Sequence, residues 1–211
     1  MREALVALIA RMTTPEPRLI NSDDSVSWKA HREAEMLMDP LMVDELAGYL
    51  QHESDNDRRK AAYFIVGKLG KTVRSEDCAA ILLSHVAKEN SKYVLSTLLD
   101  ALGGLHKPGD LDLTPVFLLL EDNRWLVRHS AITALKRTDS PEVEDRLLYL
   151  LEKTSDPYDM TYCQAVLNEI GSAKAIPFLE KNLKSRKRDV KMSAQAAIEA
   201  IKAREQNKKM A

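Results

Sequence analysis

One short pattern recurs five times along this chain, and a chain that repeats itself at a fixed interval must fold as stacked copies of one unit. The copies are Arg59-x-x-Ala62-x-x-Ile65-Val66, Leu95-x-x-Leu98-x-x-Ala101-Leu102, Arg128-x-x-Ala131-x-x-Ala134-Leu135, Met160-x-x-Cys163-x-x-Val166-Leu167 and Lys191-x-x-Ala194-x-x-Ala197-Ile198. Their fourth positions, 62, 98, 131, 163 and 194, stand 36, 33, 32 and 31 residues apart. A period near 33 fits two short helices plus turns. Inside each copy the apolar residues fall at i, i+3 and i+4, one stripe of a helix, and a small residue at the first of these places lets a neighbouring helix come close.

Turn signals fall between the stripes: Asp55-Asn56-Asp57, Glu89-Asn90-Ser91, Asp122-Asn123 and Ser155-Asp156-Pro157. Their oxygens can accept hydrogen bonds from the free N–H groups of the following helix, and Pro157 suits a first helical position. Pro141 and Pro177 sit near the starts of following helices, where a missing N–H costs little. Gly70, Gly103-Gly104 and Gly171 are expected to close three of the helices in the left-handed conformation. The spacing predicts first helices near 41–53, 75–89, 112–121, 141–154 and 173–185. Second helices follow near 57–70, 91–105, 124–137, 158–171 and 187–204. Ahead of them come a helix near 2–12, a polar loop from Thr13 to Ser25 with Pro15 and Pro17, and a helix near 26–38, which together read as a degenerate capping repeat. The expected organisation is one domain over 1–211, with a cap at 1–40, five helix pairs at 41–204 and a tail at 205–211.

The composition agrees with helix: aromatics are 5%, Gly and Pro number 7 and 8, and 45% of residues are hydrophobic, enough to bury a core. With 31 basic against 32 acidic residues, no global field draws the chain to nucleic acid or membrane, so any charged site is local. Cys78 and Cys163 lie in helical stripes without CxxC or a neighbouring histidine, and read as buried, reduced thiols. The run Ala4 to Ala10 is short and followed by Arg11, which suits a helix face better than a leader, and Val116 to Leu120 is too short to cross a bilayer. A cytoplasmic location is the expectation, with no membrane association.

On these residues the chain resembles the HEAT family, in particular its short-period group first noted in phycobilisome lyases. Asp122, Val127-Arg128, Ala131 and Ala134-Leu135 carry the likeness best, followed by Asp189-Val190-Lys191, Ala194 and Ala197-Ile198. It covers roughly 41–204. The tetratricopeptide and ankyrin signatures are absent, the period is shorter than the usual HEAT length, and the Leu95 and Met160 copies lack the basic residue. The resemblance implies an all-α fold, an α-α superhelix forming a right-handed solenoid of about five to six helix pairs, whose second helices line a concave side that receives a ligand. A bilin-lyase role would rest on the family name alone, since no residue supports it.

No GxSxG, HExxH, Walker loop or GxGxxG occurs. The five histidines, His31, His52, His85, His106 and His129, include no i, i+4 pair that could grip a metal, and read as surface or satisfied residues. No catalytic residue, metal site or cofactor is expected. Asp122-Asn-Arg124-Trp125-Leu-Val-Arg128 stands out, because a rare tryptophan sits between two arginines at a helix start, and Trp125 and Arg128 are neighbours on the helix surface. Either Trp125 packs on the preceding repeat while Arg128 bonds an acidic neighbour or a turn carbonyl, or the pair anchors an interface, as aromatics and arginine often do. The segment also resembles the HEAT-like alkylpurine DNA glycosylases, which set a Trp and an Arg along their DNA-facing side. This chain lacks their paired tryptophans followed by a catalytic aspartate; Asp100 and Asp110, the nearest carboxylates, have no aromatic beside them.

Lys181, Lys184, Arg186, Lys187, Arg188 and Lys191 crowd one inter-helix turn, with Lys202, Arg204, Lys208 and Lys209 beyond. They form either a phosphate or acidic-surface site or a solvated end face. The opposite balance at Asp23, Asp24, Glu33, Glu35, Asp39, Asp44, Glu45, Glu53, Asp55 and Asp57 leaves room for weak head-to-tail association of an otherwise monomeric chain. The first expectation is a non-catalytic protein–protein scaffold or adaptor gripping its partner on the concave side with Trp125, Arg128, Arg124, Tyr158 and Tyr162, extended by Tyr93 and Tyr63. The alternative is nucleic-acid binding through Arg124, Arg128, Arg186, Lys187 and Arg188, with Lys191 beside them.

Overall fold

The computed structural model describes residues 1–17 and 21–210, so Arg18 to Ile20 within the Thr13–Ser25 loop and the last residue of the tail lie outside the described residues. The described residues form an all-α fold; the single extended pairing is an isolated bridge between Lys107 and Thr138. By packing, the chain divides into two compact units, Met1–His106 and Lys107–Ala211.

In the first unit, α1 (Glu3–Met12) packs on α2 (Val26–Glu35), and α3 (Met42–His52), α4 (Asn56–Val73), α5 (Asp77–Val86) and α6 (Lys92–Gly103) follow. Helix α4 is the centre, touching α1, α2, α3, α5 and α6. Its stripe of Ala62, Ile65, Val66 and Leu69 is completely buried, as the repeat requires. Asp55 begins it by accepting a hydrogen bond from the Arg58 N–H at 2.9 Å.

In the second unit α7 (Thr114–Phe117), α9 (Glu142–Lys153) and α11 (Ile176–Asn182) alternate with α8 (Trp125–Ala134), α10 (Pro157–Ile170) and α12 (Arg188–Met210). Helix α10 packs on α8, α9 and α12, burying Cys163, Val166 and Leu167 against Ala194, Ala197 and Ile198 of the last repeat. Both cysteines are unpaired and buried. No helix among the described residues is long and apolar enough to cross a membrane.

Two expectations are corrected. The predicted helix 112–121 shortens to the four residues of α7, after which Leu119, Leu120 and Asp122 donate backwards to the carbonyls of Val116, Phe117 and Leu119 in tight i to i+3 steps. The glycines do not adopt the left-handed conformation: no described glycine has positive φ, and the left-handed residues are Arg74 and Arg137. Gly70 lies inside α4, not at its end. A Cβ there would stand 2.6 Å from Cys78 Cβ, and one at Gly67 2.8 Å from Ala101 Cβ. These glycines serve close helix approach between α4 and its neighbours α5 and α6.

Candidate functional site

Each unit contains one buried node built on the arginine that opens a second helix. In the second unit, Arg128 Nε donates to both oxygens of Asp159 at 2.9 Å, Nη1 donates to the Asp122 carbonyl at 2.9 Å, and Nη2 reaches Asp156 Oδ2 at 3.3 Å. His129 Nε2 lies 3.0 Å from Asp159 Oδ1, and Thr154 Oγ1 donates to Asp159 Oδ2 at 3.0 Å. Asp159 sits in the first turn of α10, so the node ties α8 to α10 and satisfies a carboxylate that is almost fully buried. Arg128 thus takes the inward role, holding an acidic neighbour and a turn carbonyl. Arg124 closes on Asp122 instead, with Nε and Nη2 at 2.9 and 2.7 Å from its oxygens. That contact holds the Asp122 carboxyl below the usual range.

Outside the node lies a cluster of rings. Trp125 is 63% exposed, Tyr158 68% and Tyr162 39%. All three surround His129, at centroid distances of 5.6, 6.2 and 4.6 Å, with Tyr162 stacked at 22° between planes. His129 was not among the expected site residues, although Trp125 and His129 are four apart on one helix and so share a face. The node fixes the ring that the exposed aromatics lean on.

The basic residues follow on the next second helix. A groove of about 190 Å³ runs between Tyr158 and Thr161 of α10 and Lys187, Arg188, Asp189 and Val190 at the start of α12. Arg186, Lys187, Arg188 and Lys191 are all exposed. Tyr93 belongs to the first unit, on the first turn of α6, 61% exposed with Lys92 Nζ 5.0 Å from its ring. Tyr63 is not surface at all: it is fully buried, and its hydroxyl donates to Glu89 at 2.6 Å, which corrects the expectation that it extends the face.

One oxygen each of Asp156 and Asp159 and a ring nitrogen of His129 lie within 4.8 Å of one another, a grouping of metal-ligand types. The chemistry of the set argues against a cation: Arg128 already places its positive charge on both Asp159 oxygens, and a metal would have to displace it. Cys163 is fully buried, and desolvation pushes its thiol up and away from nucleophilic use.

With this geometry in hand, comparison with family models matches residues 113–199 to HEAT repeats. Over that segment the chain is similar to HEAT repeats. The matched segment covers α7 through the first half of α12, the part that holds the second unit's node, the rings and the basic turn. Among solved structures, an engineered protein is similar at a TM-score of 0.58 and 17% identity, over 96% of this chain and 98% of that one. A designed armadillo repeat protein is similar at 0.54 and 15%, over 92% and 98%. These likenesses establish the fold, a helical repeat of HEAT and armadillo kind. No curated protein matches the sequence.

Proposed function

We propose that this HEAT-repeat chain is a non-catalytic scaffold that binds another protein on the exposed ring cluster of its α8 and α10 helices. The observation that carries the reading is the convergence of Trp125, Tyr158 and Tyr162 on His129. Trp125 and Tyr158 leave most of their surface in water, and amphipathic rings gathered beside a buried node are the usual anchors of protein interfaces. A non-catalytic role is supported by the engagement of the nearby chemical groups: His129, Asp159 and Arg128 are occupied with one another. A cytoplasmic setting belongs to the same proposal, supported by two buried thiols that remain unpaired.

The test places a photo-crosslinking amino acid at position 126, beside Trp125, and exposes the protein to nuclease-treated native lysate. A specific protein adduct is expected, and its loss in a Trp125→Ala/Tyr158→Ala variant whose melting temperature is unchanged. Arg128 is left intact because its removal would strand Asp159. If retention vanishes on nuclease treatment, or the double variant captures the same protein as well as before, the reading is wrong.

A further inference from the structure

The ring cluster and the basic turn are parts of one strip. Helix α10 packs on both α8 and α12, and Tyr158 belongs to the aromatic cluster on one side and to the groove with Lys187 and Arg188 on the other. From this we infer that the strip binds an extended acidic peptide segment of a partner protein, its carboxylates on Lys187, Arg188 and Lys191 and its apolar side chains against Tyr158, Tyr162 and Trp125. The inference rests on the scaffold reading and supplies the chemistry of the partner.

Three observations select this occupant. First, the charge is uncommitted: Arg186, Lys187, Arg188 and Lys191 are exposed and hold no ion pair among the described residues, whereas Lys181 in the same turn is paired with Glu152. Second, the positive charge is confined to one end. The other end carries rings, and the carboxylates of Asp189, which lines the groove, and of Asp156, partly exposed at the start of α10, stand beside them. A nucleic-acid strand brings a phosphate at every residue and would press its charge on those acids, while a peptide can be acidic over the cations and apolar over the rings. Third, Tyr162 is already covered on one side by His129. The cluster therefore offers outer edges and faces suited to single apolar side chains, not a free ladder of platforms for successive bases.

The length follows from packing. Neighbouring helices lie about 8–10 Å apart, so the strip across α8, α10 and α12 is about 18 Å long, the span of about six extended residues at about 3.3 Å each.

The probes are fluorescein-labelled hexapeptides of sequence Glu-Glu-Glu-Phe-Pro-Phe and its reverse, read by polarisation against the full chain. Their controls are Lys-Lys-Lys-Phe-Pro-Phe, Glu-Glu-Glu-Ser-Pro-Ser and a thymidylate dodecamer. One acidic aromatic peptide is expected to bind at least about tenfold more tightly than every control. Lys187→Glu/Arg188→Glu and, separately, Tyr158→Ala should each weaken it about tenfold. Raising salt from about 50 to about 300 mM should weaken it severalfold. All three substituted residues are exposed, so an unchanged melting temperature separates lost binding from lost fold. Tighter binding of the dodecamer, indifference to the charge reversal, or no preference for the acidic aromatic peptide overturns the inference. If the protein adduct in native lysate disappears with Trp125→Ala/Tyr158→Ala yet survives Lys187→Glu/Arg188→Glu, the scaffold stands and the acidic-peptide assignment falls.

Discussion

The node of the first unit and that of the second solve the same problem and then part company. In the first, Arg59 of α4 reaches Glu89, thirty positions on, with Nε 2.8 Å from Oε1, and Tyr63 donates to the same carboxylate. In the second, Arg128 reaches Asp159, thirty-one positions on, and His129 takes the place of the tyrosine. The acids arrive by different routes, Glu89 after the end of α5 and Asp159 from inside α10. Where the second unit shows Trp125, Tyr158 and Tyr162, the corresponding repeat positions of the first hold Asn56, Tyr93 and Thr97. The buried frame is common to both units; the ring cluster outside it is not. An arginine matching the repeat pattern is thus part of the frame, and the proposed binding surface lies in residues the pattern leaves open.

That contrast can be broken in graded ways. Asp159→Ala takes the shared carboxylate from Arg128, His129 and Thr154 and should cost about 3–5 kcal/mol in urea unfolding, somewhat more than Glu89→Ala, which takes it from Arg59 and Tyr63. A much smaller loss at Asp159 would mean that the carboxylate is kept for a ligand instead of for the frame. Gly70→Ala forces a methyl against Cys78 and should cost about 2 kcal/mol by the same measurement. Trp125→Ala should lower affinity for the captured partner roughly thirtyfold, about 2 kcal/mol, while shifting stability by less than about 0.5 kcal/mol.

Lys107 supplies a test of pH. It is fully buried, and desolvation lowers its pKa to about 7. A folded-state value below the unfolded one means that the unfolded chain binds more protons between about 7 and 10.5. Stability should therefore rise with pH from 7 towards 9, by at most about 1.4 kcal/mol per unit, and Lys107→Met should flatten the slope. The smallest effect is expected from Tyr93→Ala, below about 0.5 kcal/mol in stability and within about twofold in partner affinity. A large loss of affinity would show that the first unit also takes part in binding.

Most of the fold was legible because periodicity is a property of neighbours in sequence. The Arg128, Ala131, Ala134, Leu135 stripe announces a helix and its buried side without reference to any other segment. Helix starts at Asp55 and Asp156 were legible for the same reason, since the acceptor and the N–H groups it satisfies are two or three residues apart. What failed required a partner. Gly70 looks like a helix stop until Cys78 is known to lie against it, and the run from Val116 to Leu120 looks like a longer helix until tight turns are seen to end it. In the site, Trp125 was legible as a rare aromatic at a helix start, and the structure gathers it with Tyr158 and Tyr162 of α10. His129 and Asp159 were not, because their roles come from a contact across one full repeat. An acid about one period downstream of a repeat arginine would have been the signal to look for.

Helix α12 reaches back to finish a helix other than itself. Arg204 Nη1 donates to the Asn168 carbonyl at 2.5 Å and Nη2 to the Gly171 carbonyl at 2.8 Å, closing carbonyls at the end of α10 that have no partner within that helix. Tyr158 and Tyr162 ride on α10, so the carboxyl-terminal stretch of the chain is a clamp on the far end of the very lever that carries them. A chain stopped at residue 203, or a cleavage just before it, would fray α10 from its last turn. Its effect would be felt at the opposite end of α10, where Tyr158 and Tyr162 would lose a fixed support while remaining in the chain.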